Sequence, residues 1–267
     1  MSKAKVSILI PNYKTLELTK LCLRLLRKHT DPQLARMIVI DNDSQDESLA
    51  YLKQLAWIHL IERPRVPNEP PVMSHARALD LGLTQVETPY VLSIHTDTLV
   101  KHPQWLPFLI AQLEKEPAIA GVGSWKLEAK PWYKRILKQC ERALQRNYQR
   151  LLGTTKPAGE DYHYLRSHCA LYRMDLIKQH QLTFADSEQV AGKLMHKKLI
   201  ELGYKMIFLP SETLGQYLDH LNHATTLLNP EFKDSLRRNR DKELRRMEKR
   251  LLSIGSREIL RDAQLDN

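Results

Sequence analysis

The stretch from Tyr90 to Val100 constrains the fold most, because an uncharged apolar run breaks there abruptly into His95-Thr96-Asp97. Such a run, with β-branched and aromatic residues, is typical of a strand buried on both faces. In open α/β sheets, ligands bind at the carboxyl ends of the strands. His95 and Asp97 are two residues apart, so the pleat turns both side chains to one side, where they can bind one divalent cation or one phosphate. A strand followed by an ordinary polar turn is the alternative interpretation.

Two earlier segments repeat this pattern of an apolar run with a polar end. Residues 5–10 predict a strand that stops at Pro11-Asn12-Tyr13, and residues 37–40 predict a strand followed by Asp41-Asn42-Asp43. Apolar residues at helical spacing from Thr15 onward predict a helix between them, which completes a parallel βαβ unit. Asp41 comes first off its strand, so we expect it to be partly buried and hydrogen-bonded.

The remaining chain predicts further alternation of strands and helices. We expect a strand at 57–62, a proline-rich loop at 63–72 and a helix capped by Ser74 that runs to Val86. Beyond the opening stretch, a helix is predicted at 104–115 and a strand at 119–125. In the second half we predict strands at 163–172 and 205–209, and helices at 173–180 and from Asp186 to Gly203.

Three of these segments together resemble the motifs of family 2 glycosyltransferases of the GT-A fold. They are Val6 to Lys14 with Pro11-Asn12-Tyr13, Ile38 to Asp46 with Asp41-Asn42-Asp43-Ser44, and His95-Thr96-Asp97. The resemblance spans about residues 4–125. It implies an α/β protein, namely a GT-A type three-layer α/β/α sandwich with a mostly parallel central sheet and extra C-terminal helices. It also implies a nucleotide-sugar-binding half at 1–125, an acceptor-binding and catalytic half at 126–228, and a basic C-terminal helical extension at 229–267.

The resemblance further implies an enzyme that moves a sugar from a nucleotide-diphosphate sugar to a hydroxyl acceptor with inversion, using a divalent metal, Mn²⁺ or Mg²⁺. It assigns donor contacts to Pro11, Asn12, Tyr13, Asp41, Asp43, His95 and Thr96. It assigns the metal to Asp97 with His220 and His223 from the segment Asp219 to His223. It assigns the general base, which deprotonates the acceptor, to Glu188 or Asp186.

Three positions depart from the family pattern. Lys14 and Asp80 stand where the family often has asparagine, and His95 stands where it usually has the first aspartate of the metal motif. His95 is therefore either a nitrogen ligand, which suits Mn²⁺ better than Mg²⁺, or a hydrogen-bond donor to the ribose or diphosphate. The family pattern favours the second role, with the metal resting on Asp97 and a histidine near Asp219.

The charge of the chain indicates an anionic partner. The formal net charge is +10, and two amphipathic segments, 130–152 and 230–252, are rich in arginine and lysine. A basic face of this kind is either solvated or lies on an anionic membrane, so the expected partners are a nucleotide sugar, a saccharide or lipid-linked acceptor, and an anionic bilayer. Recognition helices and zinc-finger spacing are missing, so no nucleic acid is expected, although a nucleic-acid-binding or other phosphate-binding protein without transferase activity is the rival hypothesis.

The three cysteines lack paired spacing, which favours a reducing compartment. With no apolar stretch long enough to span a membrane, we expect a cytoplasmic protein with peripheral contact at the inner face of the plasma membrane. The resemblance to family 2 glycosyltransferases implies a role in bacterial cell-surface polysaccharide or glycolipid synthesis. The last fifteen residues are expected to be weakly ordered.

Overall fold

The computed structural model describes residues 4–125, 127, 163–186, 190–221, 224, 228 and 240–267. The strands in these ranges are β1 Val6–Asn12, β2 Ala35–Asp41, β3 Ile58–Glu62, β4 Tyr90–Ile94, β5 Thr98–Val100, β6 Ile119–Gly123, β7 Cys169–Arg173, β8 Lys205–Phe208 and β9 Leu218–His220. The helices are α1 Leu16–His29, α2 Glu47–Leu52, α3 Pro71–Leu83, α4 Trp105–Leu113, α5 Met174–Gln179, α6 Lys193–Glu201, α7 Ser211–Leu214, α8 Arg240–Ser253 and α9 Ser256–Arg261, followed by a 3₁₀ turn at Ala263–Asp266.

A seven-stranded sheet organises the described residues, with the strand order β3-β2-β1-β4-β7-β6-β8. Strands β1 to β4 pair in parallel, as do β6 and β8, whereas β7 is antiparallel to both of its neighbours. The carboxyl ends of β1, β2, β4 and β6 therefore lie at the same edge as the amino end of β7. A second, two-stranded sheet is formed by β5 and β9.

Both faces of the large sheet are buried, as the apolar runs predict. Along β1, Ile8 and Ile10 belong to one hydrophobic cluster with α1 and α4, while the intervening Leu9 belongs to the other cluster with α3. Alternation of this kind follows from the two-residue period of a strand. The result is the expected three-layer α/β/α sandwich with a mostly parallel central sheet.

Two predicted element boundaries are wrong for reasons that involve proline. Strand β1 continues through Pro11 to Asn12, because its pairing with β4 ends at Leu9 and the missing N–H of Pro11 therefore breaks no ladder bond. Helix α3 begins at Pro71 and not after Ser74. Proline is favoured at the first helical position, where its N–H has no intrahelical partner.

The C-terminal residues are ordered, which contradicts the expectation of a weakly ordered end. The guanidinium of Arg24 on α1 is buried and makes a bidentate pair with Asp266, and it also donates to the backbone oxygens of Ile259 and Leu260. The hydroxyl of Tyr51 donates to the same carboxylate at 2.7 Å. These contacts attach α9 and the 3₁₀ turn to α1, and they confirm the expected C-terminal helices.

The basic amphipathic segments are described only in part. Residues 130–152 lie outside the described residues, as does the first part of the segment 230–252. In α8, Met247 is buried while Arg245 and Arg246 are exposed, so this helix packs one face on the core and leaves a basic face toward solvent. No helix in the described ranges is long and apolar enough to cross a membrane.

Candidate metal and nucleotide site

The small sheet brings together Asp97 and His220, which are far apart in the sequence. Strand β4 ends at Ile94, and a turn closed by a bond from the Thr98 amide to the His95 carbonyl leads into β5. Thr98 then pairs with His220 of β9, and the Leu221 amide donates to the Asp97 carbonyl at 2.9 Å. The imidazole of His220 therefore faces the carboxylate of Asp97.

His95, Asp97 and His220 form a group that fits a divalent cation. One ligand atom from each of the three side chains lies within 4.8 Å of the other two. Oδ1 of Asp97 is 3.3 Å from Nε2 of His220 and 3.9 Å from Nδ1 of His95. This buried oxygen accepts no well-aligned hydrogen bond from the described residues, the His220 imidazole being its nearest polar neighbour, and a ligand would offset the cost of burying it. Nitrogen and carboxylate donors together suit Mn²⁺ and similar divalent ions.

Two further histidines, His75 and His168, surround this group, and the sequence analysis did not identify them. His75 on α3 packs edge-on against His95, with ring centroids 4.7 Å apart, and His168 stacks on His220 at the same centroid distance. The only sign of these two histidines in the sequence is that each follows a serine within a predicted helix or strand. Ring nitrogens of both histidines face hydroxyl groups, those of Ser167 and Ser124 respectively.

The electrostatics of the group favour neutral imidazoles at His75, His95 and His168 around an ionised carboxylate. Burial lowers the pKa of His75 to about 4 and that of His168 to about 3, the latter with help from the neighbouring His220. Burial and then the neighbouring His75 hold the pKa of His95 well below its usual value. Burial alone would raise the pKa of Asp97, but the adjacent imidazoles, His220 foremost, hold it well below its usual range. Neutral imidazole and ionised carboxylate are the forms that bind metal ions.

A second polar network lies at the ends of β1 and β2, centred on Asn12 and Asp41. Asp41 is 1% exposed and accepts bonds from Asn12 Nδ2 at 2.7 Å, from the Ser44 hydroxyl at 2.5 Å and from the Ser44 amide at 3.0 Å. Asn12 also donates to Ser48 and accepts from the hydroxyl of Thr19. The expected hydrogen-bonding role of Asp41 is thus filled, within the structure, by groups of the chain itself.

The other residues predicted to contact the donor lie at the same edge of the sheet. Pro11 and Thr96 are buried, whereas Tyr13 and Asp43 are partly exposed. The carboxylate of Asp43 accepts bonds from the Gln45 side chain. Their assignment to the nucleotide stays a prediction.

Asp186 is the one predicted base whose position the structure describes. Asp80 fixes the preceding segment, because its carboxylate accepts bonds from the amides of Phe184 at 2.6 Å and Ala185 at 3.0 Å. The carboxylate of Asp186 then pairs with Lys198. Asp186 does not open a helix as predicted, since α6 begins at Lys193 after Gly192 in a left-handed conformation. Glu188 and His223 lie outside the described residues.

The guanidinium of Arg166 also lies near the histidines, and no carboxylate among the described residues pairs with it. Arg166 stacks on Trp125, with its central carbon 4.4 Å from the ring centroid, and its amide donates to the Ser124 carbonyl. Its positive charge lowers the pKa of His168, behind burial and the effect of His220. Nε of Arg166 is buried without a hydrogen-bond partner among the described residues. With respect to the described residues, the guanidinium is thus placed to attract an anionic ligand.

Comparison with known proteins places the fold in context. The sequence profile described as glycosyl transferase family 2 matches residues 7–181. A search of curated protein sequences gave no match. Among solved structures, a mannosyltransferase from Pyrobaculum calidifontis in complex with GDP-Man and Mn²⁺ is 16% identical, with a TM-score of 0.54, over 78% of this chain and 55% of that one.

Two further solved structures share the architecture. TarS 1–349 from S. aureus is 15% identical, with a TM-score of 0.53, over 80% of this chain and 59% of that one. Glucosyl-3-phosphoglycerate synthase from Mycobacterium tuberculosis, in complex with Mg²⁺ and UDP, is 19% identical, with a TM-score of 0.50, over 79% of this chain and 74% of that one. This chain thus spans little more than half the length of the first two proteins. At these identities the likeness establishes the fold.

Proposed function

The chain belongs to glycosyl transferase family 2, and from that premise we propose that it transfers a sugar from a nucleotide-diphosphate sugar to a hydroxyl acceptor with inversion. The observation that carries the proposal is the convergence of two polar groups at one edge of the sheet. One is the network of Asn12 and Asp41, and the other is the group of His95, Asp97 and His220. Ligands of open α/β sheets bind at this edge.

Each group supports one part of the reaction. The network at the ends of β1 and β2 forms a rigid polar surface against which the nucleoside would bind. Tyr13 would add an aromatic ring to this surface, and Asp43 a carboxylate that accepts bonds from the ribose hydroxyls. Asp97 and His220, with His95, would hold Mn²⁺ or Mg²⁺, which would neutralise the charge that develops on the leaving diphosphate. Arg166 supplies a fixed positive charge near the same place.

The acceptor hydroxyl needs a base to take its proton as the new glycosidic bond forms. We assign this role to Glu188 or to Asp186, whose segment Asp80 attaches to α3. The substitution Glu188→Gln should keep donor binding and abolish turnover, because the amide preserves the shape but cannot accept the proton. Asp186→Asn is the matched variant. If Asp186→Asn is the inactive one and Glu188→Gln turns over, the base is Asp186.

The proposed acceptor is a saccharide or a lipid-linked acceptor, in the synthesis of a bacterial cell-surface polysaccharide or glycolipid. The net charge of +10 and the exposed arginines of α8 support contact with an anionic bilayer at the inner face of the plasma membrane. The cation group and Arg166 support a phosphate-bearing donor over a nucleic acid, because they form a compact site and not an extended basic surface.

The test is a panel of nucleotide sugars incubated with the protein, Mn²⁺ and either simple saccharides or lipid-linked acceptors on anionic liposomes. The expected result is release of nucleoside diphosphate with one donor, and a product whose anomeric configuration, read by NMR, is opposite to that of the donor. Asp97→Asn is the inactive control. Retention of configuration would overturn the inverting assignment. Binding of oligonucleotides but of no nucleotide sugar would overturn the proposal itself.

A further inference from the structure

Ser167 lies between two histidines at the candidate site. Its hydroxyl oxygen is 2.9 Å from Nε2 of His95 and 3.2 Å from Nε2 of His75. Ser167 is only 7% exposed, so these two imidazoles and not water are its principal polar neighbours. The rings of His75 and His95 also contact each other edge to face, at an interplanar angle of 79°. The three side chains therefore form one connected unit.

The fold explains why they meet. Cys169, the first residue of β7, pairs with Ile94, the last residue of β4. The residues just before β7 therefore lie beside His95, just after β4. His75 reaches the same place from the second turn of α3, whose amino end is attached to the end of β2 by a bond from Asn42 to the Ser74 carbonyl. Regular elements fix all three positions.

Because Nε2 of His95 faces Ser167, its other nitrogen, Nδ1, is the one directed at Asp97. A serine hydroxyl has one hydrogen to donate and accepts at its oxygen. The Ser167 hydroxyl both accepts and donates if His95 Nε2–H donates to Ser167 and the Ser167 hydroxyl donates to His75 Nε2. His95 Nδ1 then carries a lone pair beside Asp97 and His220.

The reverse arrangement has a different consequence. If His75 Nε2–H donates to Ser167 and the Ser167 hydroxyl donates to His95 Nε2, the proton of His95 is on Nδ1. That nitrogen could then donate a hydrogen bond to a bound anion but could not bind a cation. The direction of the hydrogen bonds through Ser167 thus decides which of the two roles of His95 the protein uses.

We propose that Ser167 and His75 are positioning residues that hold His95 as its Nε2–H tautomer, so that Nδ1 binds the divalent cation together with Asp97 and His220. The inference rests on the proposed function for the presence of the cation. Histidine ligands of metals generally donate their second ring N–H to a fixed acceptor, and loss of that acceptor weakens metal binding. His168, which faces Ser124 and stacks on His220, is placed to do the same for the other imidazole.

This role for His95 also sets the preference among metals. Two imidazole nitrogens and one carboxylate form a nitrogen-rich donor set. Mg²⁺ strongly prefers oxygen ligands, whereas Mn²⁺ accepts imidazole. Variants that remove the hydrogen bond to His95 Nε2 should therefore lose Mn²⁺ affinity, and with it much of the selectivity for Mn²⁺ over Mg²⁺.

The experiment combines ¹⁵N NMR of the imidazoles with Mn²⁺ binding followed by electron paramagnetic resonance, in the absence of any donor. Zn²⁺ serves as the diamagnetic probe, and its addition should place His95 in the Nε2–H form with a metal-shifted Nδ1. Ser167→Ala should weaken Mn²⁺ binding about ten- to a hundredfold, the range found when such partners are removed. Ser167→Thr, which keeps the hydroxyl, should restore most of it, and His75→Gln should fall between.

Ser93→Ala is the matched control, because Ser93 on β4 is also buried and its hydroxyl has no partner among the described residues. It should bind Mn²⁺ like the parent protein, and thermal melts of all variants identify any that fail to fold. Unchanged Mn²⁺ affinity in folded Ser167→Ala, or a metal shift on Nε2, would overturn the inference. Since no sugar donor is present, a failure of glycosyl transfer leaves this result intact, and the reverse also holds.

Discussion

Replacing Asp41 by alanine tests whether the network at the ends of β1 and β2 is structural as well as ligand-binding. The carboxylate is buried and accepts three hydrogen bonds, one from Asn12 and two from Ser44. In Asp41→Ala the buried Ser44 amide loses its acceptor, and Asn12 keeps only its bonds to neutral hydroxyl groups. We therefore expect the free energy of unfolding and the nucleotide affinity to fall together.

The magnitude follows from the number and kind of bonds lost. A hydrogen bond to a charged group contributes about 1.5–3 kcal/mol, so three such bonds set an upper range of about 4.5–9 kcal/mol. The substitution also removes the cost of burying a carboxylate, which offsets part of the loss and leaves an expected destabilisation of about 2–5 kcal/mol. For a domain of this size each kcal/mol lowers Tm by about 2–4 °C, so Tm should fall by roughly 4–20 °C.

The assay pairs thermal denaturation with titration of nucleoside diphosphates. Ser44→Ala is the matched variant, because it leaves the charge of Asp41 and the Ser44 amide in place. It removes one of the three bonds to the carboxylate and two neutral bonds that the Ser44 hydroxyl accepts, from the Lys14 amide and from Asn12. It should be destabilised less than Asp41→Ala and keep its nucleotide affinity. If Asp41→Ala melts within about 2 °C of the parent protein, the reasoning that the network stabilises the fold is refuted. Unchanged nucleotide affinity in that variant would remove Asp41 from the donor site.

Three further predictions concern charged side chains. Asp97→Asn should weaken Mn²⁺ binding by about a hundredfold in calorimetry, since it removes the charged ligand, and unchanged affinity would exclude the cation site. Arg166→Gln should weaken binding of nucleoside diphosphates about tenfold but leave nucleosides unaffected, whereas equal loss for both would argue for a structural role. The hydrogen bond from Arg24 lowers the pKa of Asp266, so this carboxylate stabilises the fold above its unfolded pKa of about 3.9 and loses that effect as the pH falls. Asp266→Asn should therefore melt below the parent protein at pH 7, and the difference should shrink toward about pH 3; a constant difference would contradict this.

The sheet could be predicted from the sequence because each of its first strands carries its own signal. Uninterrupted apolar runs at Ile8 and Ile38 indicate strands buried on both faces, and the polar residues that follow them meet at one edge because parallel strands share a direction. The order of the three motifs along the chain was then sufficient to identify the family. The ends of helices and strands were less predictable. Whether Pro11 ends β1 depends on whether a neighbouring strand would accept a bond from its missing N–H, and Pro71 is compatible with α3 because it is the first residue of that helix.

The surroundings of the candidate site were less predictable, for a physical reason. His75, Ser167 and His168 come from α3 and from the start of β7, and only the pairing of β7 with β4 brings them beside His95. The helical or strand periodicity of the local sequence does not distinguish such residues from others. Asp80 illustrates the same limit, because its departure from the family pattern is explained by its bonds to Phe184 and Ala185, which are distant in the sequence.

The C-terminal part of the chain contributes to the site through β9. His220 approaches Asp97 only because β9 pairs with β5, and strands of three residues are too short to be stable alone. Arg250 of α8 supports this pairing by donating to the His220 carbonyl at 2.8 Å. The helix itself packs on the core through Met247, and α9 is attached to α1 through Arg24. Because β5 directly follows Asp97, its pairing with β9 completes the cation group, and the bond from Arg250 links that pairing to α8.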